Sequence, residues 1–117
     1  MTPDKDKALC EQFPDIFQTI HGTECGDGWY QLLSDLCAAL ADCHVVADQV
    51  KEKFGGLRFY FHVNGPCDSE TFDAIYGAVE AAEQRSFSIC DVCGAPGKLR
   101  IPRGWHMTRC DKCSSGV

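Results

Sequence analysis

The chain of 117 residues has no apolar run long enough to span a bilayer, and its first residues lack the basic and apolar blocks of a secretory leader. A cytoplasmic protein is the expectation. A nucleotide-binding loop is also missing. Gly26-Asp27-Gly28 has no strand pattern before it and no suitably placed lysine after it, so these glycines mark a turn and do not cradle phosphate. Catalytic sets are equally scarce: only four histidines occur, and His62, on a predicted strand, has no acid near it in sequence to complete a triad. There is no length for a second full domain, and the reading is of a non-enzymatic protein.

Cysteine, by contrast, is abundant, at nine residues. Four of them stand as Cys90-Asp-Val-Cys93 and Cys110-Asp-Lys-Cys113, two Cys-x-x-Cys pairs separated by 94–109. Two cysteines at this spacing turn both sulfurs toward one ion, and a second pair brought alongside by a hairpin completes a tetrahedral set. Gly94, Pro96 and Gly97 supply the turn after the first pair. Leu99-Arg100-Ile101 reads as a strand, Pro102-Arg103-Gly104 as a turn and Trp105 to Arg109 as the return strand. Four sulfur ligands close the coordination sphere, so one structural Zn2+ per chain is predicted, with His106 surplus to it. A redox dithiol is the competing reading of such pairs. The other cysteines (Cys10, Cys25, Cys37, Cys43, Cys67) are odd in number and several fall on helix faces, which favours reduced thiols. Whether His21, Cys25, Cys43 and His44 gather as a second metal site stays open.

The remainder reads as an α+β body over 1–88, joined without a linker to a ribbon over 89–117. Ala8, Leu9 and Phe13, then Ile16, Phe17 and Ile20, suggest one kinked helix or two short ones broken at Pro14 and capped at Gly22. Asp27 is placed to cap the next helix, in which Trp29, Leu32, Leu33, Leu36, Cys37 and Leu40 recur at helical spacing. Alternation then takes over. Val45 to Lys53 and Leu57 to Val63 form a two-stranded antiparallel hairpin, with Gly55 and Gly56 expected to carry the positive φ of its turn. Its outer face should show Arg58, Tyr60 and His62 beside Lys51 or Lys53, either a binding face or an ordinary solvated one. A third helix, capped by Asp68 or Ser69, buries Phe72, Ile75, Tyr76, Val79 and Ala82 and turns Glu70, Asp73, Glu80 and Glu83 outward.

Charge divides the chain. Residues 1–88 carry six Lys/Arg against fifteen Asp/Glu, hence −9, while residues 89–117 carry five against two, hence +3. That asymmetry bears on partners. An acidic body with an exposed hairpin face suits occupation of a protein partner, and a basic ribbon with Arg100, Arg103, Trp105 and Arg109 suits DNA or RNA. The first is preferred, because +3 is weak against −9. No membrane partner is expected, and the chain reads as a monomer or small homo-oligomer.

Gly26-Asp-Gly-Trp29, the run Val50-Lys-Glu-Lys-Phe-Gly-Gly-Leu-Arg-Phe-Tyr60, and Cys90-x-x-Cys-Gly-Ala-Pro-Gly97 followed by Gly104-Trp105 and Cys110 resemble a family of small uncharacterised bacterial and bacteriophage proteins. The resemblance covers residues 26–113. It implies a prophage or mobile-element setting in a bacterial host cell, which makes the expected protein partner a host protein, and it implies zinc at the tail. Family members carry an apolar residue before the third cysteine, where Arg109 stands here.

Overall fold

A computed structural model describes residues 1–115; the last two residues of the expected ribbon, 116–117, lie outside them. The architecture is α+β. Helix α1 (Pro3–Gln12) begins with proline, whose missing amide costs nothing in a first turn, and with Asp4 and Asp6 at the positive end of the helix dipole. It stops before Pro14. The stretch from Pro14 to Thr19 forms turns, not the second helical segment its apolar spacing suggests. The reason lies in packing: Ile16 and Phe17 plug the core, and the Ile16 carbonyl accepts the Ala47 amide at 2.8 Å. Gly22 likewise caps no helix. It lies against Asp6, whose carboxylate accepts from the amide and hydroxyl of Thr23 at 3.1 and 2.9 Å.

A single tight turn, Asp27–Trp29, leads into α2 (Tyr30–Leu40), which buries Leu32, Leu33, Leu36, Cys37 and Leu40. Asp27 does not cap this helix. Its carboxylate accepts from the Thr2 amide at 2.7 Å and so ties the start of the chain to the turn. Burial pushes the Cys37 thiol up to about 12, as befits a small apolar filler.

Strands β1 (Val45–Lys53) and β2 (Gly56–Val63) pair antiparallel, with Val50 opposite Phe59 and Lys51 opposite Arg58. A bulge between Ala47 and Gln49 throws Asp48 outward. At the hairpin turn the positive φ falls on Phe54 (54°) and Gly55 (85°), not on both glycines. Gly56 is needed for room: a Cβ there would meet the Phe87 ring at 2.3 Å.

Helix α3 (Ser69–Ser86) starts at Asp68, whose Oδ1 accepts the Thr71 amide at 2.7 Å; that bond holds the Asp68 carboxyl below its usual range. Ile75, Val79 and Ala82 are buried, but Phe72 and Tyr76 are exposed, contrary to their place in the expected stripe. The two-stranded sheet is too narrow to cover the start of the helix, so the Tyr76 ring leans on Phe72 and on Phe61 at centroid distances of 4.9 and 5.1 Å. Glu83 also departs from expectation. It turns inward and its carboxylate accepts the Phe59 amide at 2.9 Å, while the Ser86 hydroxyl accepts that of Leu57 at 2.9 Å. Along the outer edge of β2, α3 thus stands in for a third strand.

The chain continues into a second small hairpin, β3 (Lys98–Arg100) with β4 (Met107–Arg109), followed by the one-turn helix α4 (Asp111–Ser114). Among the described residues no helix is long and apolar enough to cross a membrane.

Candidate metal centre

The first Cys-x-x-Cys pair sits in a tight turn. Gly94, at φ 82°, donates its amide to the Cys90 carbonyl at 2.9 Å, a left-handed conformation that a glycine reaches without strain. The β3–β4 hairpin returns the second pair to the first. Cys110 opens α4 and its sulfur accepts the Cys113 amide at 3.4 Å.

The four sulfurs of Cys90, Cys93, Cys110 and Cys113 lie within 4.8 Å of one another, with Cys93 and Cys110 3.7 Å apart. A tetrahedral ion holding sulfur at about 2.3 Å sets neighbouring sulfurs about 3.8 Å apart. That spacing is also far beyond the roughly 2.05 Å of an S–S bond, and all nine cysteines are free thiols. The residues therefore fit a metal ion.

The polar surroundings favour the same outcome. Burial pushes the Cys90 thiol up, but backbone N–H groups of Cys110, Cys93 and Val92 directed at its sulfur outweigh that and bring it to about 6. Cys110 is lowered by the Cys113 amide. Cys113, hydrogen-bonded to the sulfurs of Cys110 and Cys93, keeps its proton up to about 12. Clustered thiols cannot all ionise without a cation among them, and a bound metal ion would supply that charge.

The site is built into the body through backbone contacts at glycines. Gly28 donates to the Asp91 carbonyl at 3.0 Å, and the buried Trp29 indole donates to the Ile89 carbonyl at 2.9 Å. A Cβ on Gly26 would lie 1.9 Å from the Asp91 oxygen, and one on Gly28 would lie 2.0 Å from the Cys90 oxygen. On the other side, the buried Thr108 hydroxyl donates to the Gly55 carbonyl at 2.6 Å, and a Cβ on Gly55 would meet Leu99 at 2.5 Å. The Gly26–Trp29 stretch, the Phe54–Gly56 turn and the cysteine hairpin are thus three walls of one joint. Sequence reasoning assigned these glycines to turns and missed the close approach they permit; their spacing alone carries no sign of it.

The ribbon arginines are not all free to meet phosphate, as the nucleic-acid reading of the basic ribbon requires. Arg109 donates to Asp91 at 3.2 Å and Arg100 to Asp111 at 2.5 Å, so each hairpin arginine serves the aspartate of a Cys-Asp-x-Cys pair. Arg100 holds the Asp111 carboxyl down, whereas burial pushes that of Asp91 up despite Arg109. Arg103 is exposed, at φ 54° in the Pro102–Gly104 turn, and forms no ion pair among the described residues. Trp105 is 70% exposed.

The candidate face of the larger hairpin lies elsewhere. Arg58 is half-buried opposite Lys51, Tyr60 is exposed opposite Gln49, and His62 Nδ1 lies 2.7 Å from Asp48 Oδ1, an acid supplied by the bulge. His21, Cys25, Cys43 and His44 do not come together as a metal-ligating group; among the described residues the four C-terminal cysteines are the one such cluster. No family model matches the chain, and no curated protein or solved structure is similar to it.

Proposed function

We propose that the chain is a non-enzymatic zinc protein of the phage or mobile-element type, which works by occupying and modulating or inhibiting a host protein that handles nucleic acid or serves host defence. The observation that carries the reading is the closed four-sulfur set at the joint between hairpin and body. Four thiolates leave an ion no open position for substrate or water, so its role is to hold shape. Zinc suits an all-sulfur tetrahedral set and carries no redox chemistry of its own.

The choice of a protein partner over nucleic acid rests on charge. Arg100 and Arg109, two of the three arginines that a phosphate-binding ribbon would use, are engaged by Asp111 and Asp91. The body behind them carries −9. A surface of that sign repels a phosphate backbone along its whole length, whereas a protein partner need match it only locally.

Two measurements test the reading. Elemental analysis should return one zinc per chain, and a chelator should lower the melting temperature of the whole protein. Fluorescence anisotropy with labelled DNA and RNA should show no binding at low salt. Binding that falls steeply with salt and is lost in an Arg100/Arg103/Arg109 triple variant would replace the protein partner by nucleic acid.

A further inference from the structure

The turn of the larger hairpin packs against the strands of the second hairpin, and beside that contact the molecule places large rings where neither solvent nor backbone favours them. Phe54 is 61% exposed and sits at φ 54° in a two-residue turn, a position suited to Asn, Asp or Gly. Trp105 is 70% exposed, whereas the other tryptophan, Trp29, is fully buried. Such a pairing of strain with an exposed aromatic points to use. Between the rings lies a cleft of about 310 Å3 lined by Glu52, Lys53, Phe54, Gly104, Trp105 and His106, enough for one large side chain.

Resting on the protein-binding reading above, we propose that this cleft receives an acidic segment of the partner, with one aromatic or aliphatic side chain inserted between Phe54 and Trp105. Charge identifies the occupant. Lys53 lies 5.6 Å from the centre of the Phe54 ring, and Arg103 stands exposed in the adjoining turn without an ion pair among the described residues. Glu52 is the acid of the cleft, and its Oε2 is already occupied by the Gly55 amide at 2.7 Å. The rim thus carries two cations, Lys53 and Arg103, against the one carboxylate of Glu52, a local excess of positive charge on a chain of net charge −6. The cleft is also held in shape before anything binds. The Thr108–Gly55 bond lies beneath it, and His106 meets Phe54 edge-on at 5.7 Å. A preformed pocket loses less entropy on binding.

The test is selection from a displayed random 12-residue peptide library on the zinc-loaded full chain, followed by affinity measurement on a synthetic representative. Selected peptides should combine Asp or Glu with a Trp, Phe or Leu. Their affinity should fall more than tenfold in Trp105→Ala and in Phe54→Asn, and severalfold in Lys53→Glu and Arg103→Glu, with zinc content and melting temperature kept. Peptides that are basic, or that bind these variants as tightly as the parent, overturn the assignment of this cleft while leaving a protein-binding role intact. Failure to select any saturable peptide overturns both. Binding of labelled oligo-dT that the same variants abolish would give the cleft to single-stranded nucleic acid. A dimer in sedimentation that Trp105→Ala dissolves would give it to a second copy of the chain. Either result refutes the acidic-segment proposal.

Discussion

Gly28→Ala adds one methyl group at a residue whose φ is ordinary, so any penalty comes from space alone. The new Cβ would lie 2.0 Å from the Cys90 oxygen and 2.7 Å from the Gly94 nitrogen, both backbone atoms of the first cysteine turn. Neither can rotate away. Relief requires the turn to withdraw by more than about 1 Å, judged against ordinary carbon contacts near 3.5 Å or more. That movement loses the Gly28–Asp91 and Trp29–Ile89 hydrogen bonds and opens a path of water to the indole. At about 1 kcal/mol for each bond, plus partial exposure of Trp29, the cost is roughly 2–4 kcal/mol. With an unfolding entropy near 2.1 cal/mol/K per residue, a chain of 117 residues should lose about 8–16 °C in Tm. Gly77→Ala is the matched control. A Cβ there meets nothing within 4 Å on the exposed side of α3, and removing a helical glycine should add about 0.5–1 kcal/mol, or roughly 2–4 °C. Thermal melts of both zinc-loaded variants decide the matter. If Gly28→Ala melts within about 2 °C of the parent with full zinc, the close-approach account of these glycines is wrong.

Thr108→Val keeps shape but strands the buried Gly55 carbonyl, and should cost about 1–3 kcal/mol in a denaturant melt with the metal retained. Stripping the metal should lower stability across the molecule, including the α2 and β1 amides seen by hydrogen exchange, since the joint is shared; protection lost only in residues 89–115 would contradict this. Acidification from pH 7 to 5 should release the ion, because bound thiolates must take up protons, and release followed with a chromogenic zinc indicator should be reversed on neutralisation. Asp68 has a carboxyl held below its usual range by the Thr71 amide, so its contribution is whole above the unfolded value and fades as pH falls through the folded one. The difference in Tm between the parent and Asp68→Ala should accordingly shrink below about pH 4.

What could be read in advance followed from local chemistry. The spacing of Cys90, Cys93, Cys110 and Cys113 foretold a cluster because ligand geometry is local to each pair, and strict alternation from Leu57 to Phe61 foretold a strand with one covered face. The failures are tertiary. Ile16 and Phe17 repeat like a helix, yet they plug the core from a turn whose carbonyl serves the strand bulge. Phe72 and Tyr76 repeat like a core stripe, but how far a sheet extends beneath a helix is not written in the helix. Arg100 and Arg109 look free because their partners lie across the hairpin. A signal was available there: Asp91 and Asp111 occupy the same place in the two cysteine pairs, and each takes one arginine.

The capping of β2 by α3 has a consequence for how the protein fares at high concentration. A two-stranded sheet offers two unpaired margins, and such margins recruit strands from neighbouring molecules into fibres. Here Glu24 bonds to β1 through the Val50 carbonyl and the Glu52 amide, while the Glu83 carboxylate and Ser86 hydroxyl occupy the outward amides of Phe59 and Leu57. An incoming strand would have to displace a charged side chain from a covered position before its first bond formed. Glu83→Leu should therefore free the Phe59 amide for an incoming strand and raise turbidity on prolonged incubation above that of the parent.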